Sequence, residues 1–227
     1  MIINKDNYTL MVPDWDGYFI HDAKTKNPIE VFSTGVERKI IDFFIDKNQS
    51  GLMVDIGSNM GYWSMYMSKF YDVYSFEPDP ENYKCLEYNI RENNIKNVNI
   101  YNKAISDSPK KISTFRHTTG LNCGMISVKE DSKSDIDAIT LDSLKLENIK
   151  VLKIDTEGHG YFVLCGAIET LISQSPLIII ETNNLESVIY GLSENIVEDK
   201  LNEIGYYKIF DPSDDPGKTS NSIFIKK

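Results

Sequence analysis

A short loop carries the residue types of a ligand-binding turn. Gly57 and Gly61 stand four positions apart, and Asp55 precedes them at the end of an apolar run, residues 52–54. Glycine lets a backbone approach a ligand closely, and N–H groups at the start of a following helix supply hydrogen-bond donors. The dinucleotide pattern G-x-G-x-x-G is absent, and Asp55 would repel a pyrophosphate but favour a cationic ligand. An ordinary strand-to-helix turn is the alternative interpretation.

Carboxylates follow the same pattern at the ends of three further predicted strands, at Glu77, Asp155 and Glu181. Ligands of parallel α/β sheets bind beyond the carboxyl ends of the strands, so these side chains are expected to share one site with Asp55. Glu77 lies 22 residues beyond Asp55, where a carboxylate can accept both ribose hydroxyls of a nucleoside. A solvated charge before a proline turn is the alternative for Glu77.

Candidate catalytic groups cluster just after the predicted strand 151–155. Asp155 ends that strand and is expected to orient a substrate, while Glu157 and His159 compete for the role of general base. They stand two positions apart, so only one of them is expected to face a pocket. With His159 as the base, the rate would rise through a titration near about pH 6–7. Alternatively, His159 caps the following helix or is exposed.

Oxygen ligands for a divalent cation are also present. Asp155 and Glu181, together with a neighbour such as Asn183, offer the carboxylate and amide oxygens that such ions bind. Their spacing is not diagnostic, so a metal is compatible with the sequence but is not predicted.

The elements that must position these groups alternate between strands and helices. Short apolar runs predict strands at residues 52–56, 73–76, 98–101, 151–155 and 177–180, and a closing pair at 206–210 and 222–225. Helical spacing predicts helices beginning near Trp63 and Tyr83, one helix over 163–172, and a long helix over 185–204. The sequence therefore predicts an α/β fold with a mostly parallel seven-stranded sheet, helices on both faces and an antiparallel last strand.

The chain divides into an N-terminal β extension, residues 1–31, and a main domain, residues 32–227. Residues 10–12 and 18–20 flank Asp16-Gly17, a hairpin signal. Thr34 and Glu37 have capping-box spacing before a helix predicted to carry Val36 and Phe43.

Residues 107–150 interrupt the alternation. They predict a short extra strand at 111–115, a small-residue loop at 118–125, an exposed charged stretch at 129–137 and a short strand or turn at 139–144. Such an excursion is expected to shape an acceptor site and not the cofactor site, through His117 and Asn122 in particular.

Composition limits the function classes. The 227 residues are 41% hydrophobic and 26% charged, typical of a globular chain, and the net charge of −10 disfavours a nucleic-acid partner. Three cysteines, Cys85, Cys123 and Cys165, lack metal-ligand spacing and predict a reducing compartment. With neither a membrane-spanning run nor a signal-peptide pattern, a cytoplasmic protein without membrane contact is expected.

Taken together, the motifs resemble the FkbM family of S-adenosylmethionine (SAM)-dependent methyltransferases from about Glu30 to Ile225. Its segments here are VDIGSNMGYWSMYMS, YSFEPDPENYKCLEYNI, NVNIYNKAISDS, ITLDSL, LKIDTEGHGYFVLCGA and PLIIIET. The resemblance implies a Rossmann-like class I fold and methyl transfer to oxygen, on sugar or polyketide hydroxyls. One departure is Gly160, where the family often has an acidic residue.

The resemblance and the residues together predict SAM as the cofactor and a hydroxyl of a sugar or glycan as the acceptor. Another small acceptor, such as a polyketide or peptide, and a SAM-binding subunit without activity remain alternatives. The predicted cofactor-binding residues are Asp55, Gly57, Ser58, Asn59, Gly61, Glu77, Pro78 and Ala104. The predicted acceptor-binding residues are His117, Asn122 and Glu181.

Overall fold

The computed structural model describes residues 1–5, 7–13, 24, 50–116, 126–182, 190–210 and 221–226. Its strands are β1 (Ile2–Lys5), β2 (Tyr8–Met11), β3 (Leu52–Ile56), β4 (Asp72–Phe76), β5 (Val98–Tyr101), β6 (Ala104–Ile105), β7 (Lys110–Arg116), β8 (Ile126–Glu130), β9 (Ile136–Ile139), β10 (Ile149–Ile154), β11 (Leu177–Glu181), β12 (Tyr206–Phe210) and β13 (Asn221–Lys226). Its helices are α1 (Tyr62–Met67), α2 (Pro80–Glu92), α3 (Gly160–Cys165), α4 (Ile168–Gln174) and α5 (Ile196–Glu203).

A central sheet carries seven of these strands in the order β5-β4-β3-β10-β11-β13-β12. Neighbours from β5 to β11 pair in parallel, whereas β13 runs antiparallel to both β11 and β12. The predicted mostly parallel seven-stranded sheet with an antiparallel last strand is confirmed. Because β3 and β10 are adjacent, Asp55 and Asp155 come to the same edge.

Apolar side chains pack on both faces of this sheet. On one face, Met53, Val73 and Val151 lie in a core with residues of α1 and α2. On the other, Val54 and Leu152 lie in a core with residues of α3, α4 and α5. Strands that are covered on both sides read as near-continuous apolar runs, which is why their sequences do not alternate.

The excursion after β5 forms a second sheet of four strands, in the order β6-β9-β7-β8, which we call the cover sheet. The extra strand expected at 111–115 is present as β7. The stretch 129–137 is exposed or half-buried, as expected, and its two ends lie in β8 and β9. Its neighbours Val128 and Ala138 are buried in the small core of the cover sheet. The loop expected at 118–125, with His117 and Asn122, lies outside the described residues.

The helix expected over 163–172 is divided into α3 and α4. Gly166 separates them, and a Cβ atom on Gly166 would lie 1.9 Å from the carbonyl oxygen of Ser106. The helix ends where the chain segment at Ser106 comes this close, although the apolar period of the sequence continues past Gly166. The single long helix expected over 185–204 is wrong in its described part: residues 191–195 form turns and loop, with Gly191 at φ 70°, and only 196–203 are helical, as α5.

The N-terminal hairpin pairs β1 with β2, so its turn falls earlier than the turn predicted at Asp16-Gly17. Asp16-Gly17 lies outside the described residues, and so does the predicted helix with Thr34 and Glu37. Asn89 of α2 and Asn93, the C-cap residue of α2, hold β2. Asn93 accepts from Thr9 N and donates to Thr9 O, and Asn89 makes the same pair of bonds with Met11. Within the described ranges, no helix is long and apolar enough to cross a bilayer.

Asn89 also connects this hairpin to the glycine loop, since its Nδ2 donates to Met60 O at 2.9 Å. We expect Asn89→Ala to weaken SAM binding by about fivefold to tenfold, because a buried carbonyl of the loop then loses its donor. Calorimetry with S-adenosylhomocysteine measures this. Asn99→Ala, at an exposed position of β5, is the control, and equal affinities of the two variants would contradict the link.

Candidate functional site

The predicted loop requires glycine at two positions. Gly57 has φ 78°, and a Cβ there would lie 1.8 Å from the carbonyl oxygen of Asp155. Gly61 has φ 90°, and its Cβ would lie 2.5 Å from Leu86 Cδ1. Both glycines therefore permit backbone angles and approaches that a side chain would prevent. The loop is thereby packed directly against the end of β10.

Glu77 is a buried acid held by two backbone donors. It is buried, and its two carboxylate oxygens accept from Asn59 N at 2.8 Å and from Asp79 N at 2.9 Å. Burial raises the pKa of Glu77 to about 8, against the opposing effect of these two backbone bonds. A carboxyl group held in this way is fixed in position but reluctant to carry charge without a further donor.

This raised pKa predicts a proton released on ligand binding. Ribose hydroxyls donate to the ionised form, so binding should pull Glu77 from mostly protonated to ionised at pH 7. We expect S-adenosylhomocysteine to release a substantial fraction of one proton at that pH. Calorimetry in two buffers of different ionisation enthalpy counts the protons. Heats that are independent of the buffer would contradict the assignment of Glu77.

The other predicted cofactor residues lie around these two features. The Ser58 side chain is buried, and its hydroxyl has no hydrogen-bond partner among the described residues. The carbonyl of Pro78 accepts from Asn102 Nδ2 at 3.0 Å. Ala104 is buried in β6 of the cover sheet. Their roles in binding remain predictions.

A buried lysine that the sequence interpretation did not assign joins two of the predicted acids. Lys153 Nζ lies 3.0 Å from Asp155 Oδ2 and 3.6 Å from Asp55 Oδ1, with Lys153 2% exposed. Burial alone would lower the pKa of Lys153, but Asp155 and Asp55 outweigh it and raise the pKa. A charged residue inside an otherwise apolar strand was the signal that could have identified it. Lys153 stays cationic and holds the two carboxylates in place.

Three carboxylates meet at the carboxyl edge beside this ion pair. Asp155, Glu157 and Glu181 each place an oxygen within 4.8 Å of the others, and all three are half-buried. Glu157 reaches this position with a left-handed backbone, φ 49°. The structure therefore brings Glu181, predicted for the acceptor, together with two of the predicted catalytic residues. The same oxygens suit either hydroxyl donors or a hard cation.

His159 is placed differently. Its side chain is buried, its Nε2 lies 3.1 Å from Ser106 Oγ, and its ring stacks on Phe162. Burial, assisted by Lys110, lowers the pKa of His159 to about 4. This pKa lies below the titration near pH 6–7 that is expected if His159 is the base. His159 occupies the N-cap position of α3, but its side chain makes no capping bond.

The cover sheet reaches both sides of the site. Thr114 Oγ1 of β7 donates to Asp79 Oδ2 at 2.9 Å, close to Glu77 in the chain. Ser127 Oγ of β8 donates to the carbonyl of Glu157 at 2.9 Å. The strand ends Arg116 and Ile126 border the undescribed residues 117–125. The excursion is therefore attached to the ribose side and to the carboxylate side.

Comparisons with known proteins agree with this geometry. The model of the methyltransferase FkbM domain matches residues 55–206. An FkbM methyltransferase from Methylobacillus flagellatus is similar in structure, with a TM-score of 0.53 and 15% identity, over 95% of this chain and 56% of that one. A putative methyltransferase from Streptococcus mutans in complex with S-adenosylhomocysteine has a TM-score of 0.52 and 13% identity, over 88% of this chain and 97% of that one.

No curated protein matches the chain. The chain spans 56% of the length of the Methylobacillus structure, so the two are alike over a shared domain. Both structural likenesses bear on the fold, which is that of class I SAM-dependent methyltransferases. The family model covers well over half of the residues, from the acid before the glycine loop to the strand β12. The chain therefore belongs to the FkbM family of methyltransferases.

Proposed function

We propose that this chain is a SAM-dependent O-methyltransferase that methylates a hydroxyl of a sugar or glycan. The observation that carries the proposal is the meeting of Asp155, Glu157 and Glu181, with oxygens within 4.8 Å of one another, beside the glycine loop. An ionised carboxylate accepts hydrogen bonds and cannot donate them. Three such groups together therefore suit a methyl acceptor that presents several hydroxyl donors.

The residues present fit SAM. Glu77 offers a fixed carboxylate for the ribose, and the buried hydroxyls of Ser58 and Thr156 lack partners within the described part of the chain. The acids around Lys153 outnumber its single positive charge, which favours a cationic ligand over an anionic one. When bound, SAM supplies a methyl group that its sulfonium has already activated.

The chain's own residues then have to orient the acceptor and remove its proton. Lys153 fixes Asp155, so that Asp155 can accept from an acceptor hydroxyl in one defined direction. We assign the general base to Glu157, because the low pKa of His159 makes that imidazole a weak base. Alignment of the reacting oxygen supplies much of the rate in such displacements.

A screen of acceptors tests this proposal. The chain is incubated with SAM and panels of nucleotide sugars, glycosides, glycans, polyketides and peptides, and S-adenosylhomocysteine formation is measured. We expect turnover that depends on a neutral sugar hydroxyl, with a product that is heavier by one methylene. Glu77→Ala, assayed at a SAM concentration below saturation, serves as the control with reduced turnover.

Two other outcomes would redirect the proposal. Turnover with polyketides or peptides alone would replace the acceptor class and keep the methyl transfer. Tight binding of SAM without acceptor-dependent turnover in any panel would overturn catalysis and favour a SAM-binding subunit. Gly160 bears on this second outcome, because the resembling family often has an acidic residue at this position. A Cβ on Gly160 would lie 3.2 Å from Ile180 Cδ1, in the apolar layer.

A further inference from the structure

A chain of polar contacts leads from the surface to the buried ring of His159. Lys110 Nζ lies 2.6 Å from Asp107 Oδ1, and Ser106 Oγ donates to that same oxygen at 2.9 Å. Ser106 Oγ in turn lies 3.1 Å from His159 Nε2. Ser106 is fully buried, whereas the Asp107 side chain is 36% exposed. The contacts thus join a solvated ion pair to a buried imidazole.

The hydrogen atoms in this series of polar contacts can be assigned. The pKa of Asp107 would be raised by burial, but hydrogen bonds from Lys110 and Ser106 outweigh this and hold it below its ordinary value, so Asp107 only accepts. The single hydrogen of the Ser106 hydroxyl is directed to Asp107. Ser106 can therefore only accept from His159, and Nε2 must carry the imidazole hydrogen.

Ser106 contacts both ends of α3, through its hydroxyl at His159 and its carbonyl at Gly166. Its N–H donates to Ile139 O at 2.8 Å, and Gly166, at the end of α3, allows its carbonyl to approach where a Cβ would lie at 1.9 Å. His159, at the start of α3, is held between Phe162 and Tyr190, with ring centroids 4.8 and 5.4 Å away. The two partners have little freedom to separate or rotate.

The tautomer determines the state of Nδ1, the other ring nitrogen of His159. With the hydrogen on Nε2, Nδ1 carries a lone pair, and this buried atom has no hydrogen-bond partner within the ranges that the structure describes. His159 follows directly on the turn that carries Asp155 and Glu157. A buried acceptor without a donor is costly, so a donor brought by a ligand would be favoured there.

We propose that Asp107, acting through Ser106, is a positioning residue that holds His159 as the Nε2–H tautomer and keeps Nδ1 ready to accept from a second hydroxyl of the methyl acceptor, beside the one that Glu157 deprotonates. The part concerning the acceptor rests on the proposed function. The part concerning the tautomer rests on the contacts alone.

Nitrogen-15 NMR of the imidazoles reads the tautomer directly. The signal of His159 is identified among the three histidines by its absence in His159→Gln. We expect Nε2–H in the wild-type chain. Asp107→Ala frees the Ser106 hydroxyl to turn and donate to Nε2, so a substantial Nδ1–H population should appear.

Matched variants separate a change in the His159 tautomer from a general structural effect of the substitution. Asp107→Asn keeps the oxygen that accepts from Ser106 and should restore Nε2–H. Asp137→Ala removes ion pairs to Lys103 and Lys111 on the same cover sheet without a link to His159, and should leave the tautomer unchanged. Nδ1–H in the wild type, or the same spectrum in Asp107→Ala, would overturn the proposal.

Kinetics with an acceptor from the screen test the second part. In Asp107→Ala we expect kcat to fall by up to about tenfold, as for the loss of one hydrogen bond between neutral groups, with KM for SAM unchanged and activity regained in Asp107→Asn. An altered tautomer with unchanged kcat would overturn the role toward the acceptor. Absence of any acceptor would overturn the proposed function and this second part, while the spectra would still decide the first.

Discussion

We expect Glu77→Ala to bind SAM at least about tenfold more weakly than the wild-type chain, because two charge-assisted hydrogen bonds to the ribose are lost. The same change leaves Asn59 N and Asp79 N without the oxygens that they now contact at 2.8 and 2.9 Å. The ligand therefore loses its partner and the loop loses part of its support. Calorimetry with SAM or S-adenosylhomocysteine gives the affinity.

The control for this change is Glu92→Ala, which removes an exposed carboxylate at the end of α2. It makes the same side-chain truncation but leaves the site intact, so its affinity should equal that of the wild type. Circular dichroism and thermal melting establish that both variants are folded. Unchanged affinity in a folded Glu77→Ala would remove Glu77 from the ribose site.

The second large effect is expected at Glu157. We expect Glu157→Gln to lower kcat by about 10²–10⁴-fold with SAM saturating, as for the loss of a general base. His159→Ala should lower kcat by about tenfold, through a lost hydrogen bond. The wild-type rate should show no inflection from His159 near neutrality, because its pKa of about 4 leaves the ring neutral above about pH 5.

The same measurements can reverse these roles. A rate that rises through about pH 6–7 and loses that limb in His159→Ala would return the base to His159. If both variants keep more than about a tenth of kcat, neither is the base. Loss of activity with a chelator would then point to a cation on Asp155, Glu157 and Glu181, and resistance would leave alignment alone.

Most of the sheet could be predicted because its strands are short apolar runs that end at acids or glycines. The run 177–180 and the run 52–56 are found at those positions as β11 and β3. The break between α3 and α4 could not be predicted, since the apolar period continues through Gly166. At this break the carbonyl of Ser106, from a distant part of the chain, lies where a side chain at position 166 would be.

The site shows the same division. Local signals found Asp55, Glu77 and Asp155, because a charge after an apolar strand must lie at the sheet edge. The burial of His159 and its contact with Ser106 depend on residues 53 positions apart, and Lys153 acquires its partners only when β3 and β10 pair. Long-range contacts of this kind set the pKa values, so the sequence alone left Glu157 and His159 as competing candidates for the base.

The central claim is that SAM binds at the carboxyl edge, between the glycine loop, Glu77 and the end of β10. A crystal structure of the chain with S-adenosylhomocysteine tests it most directly. The account predicts both ribose hydroxyls within hydrogen-bonding distance of the Glu77 carboxylate and the sulfur beside Asp155. A ligand bound elsewhere, or one whose ribose does not contact Glu77, would contradict it.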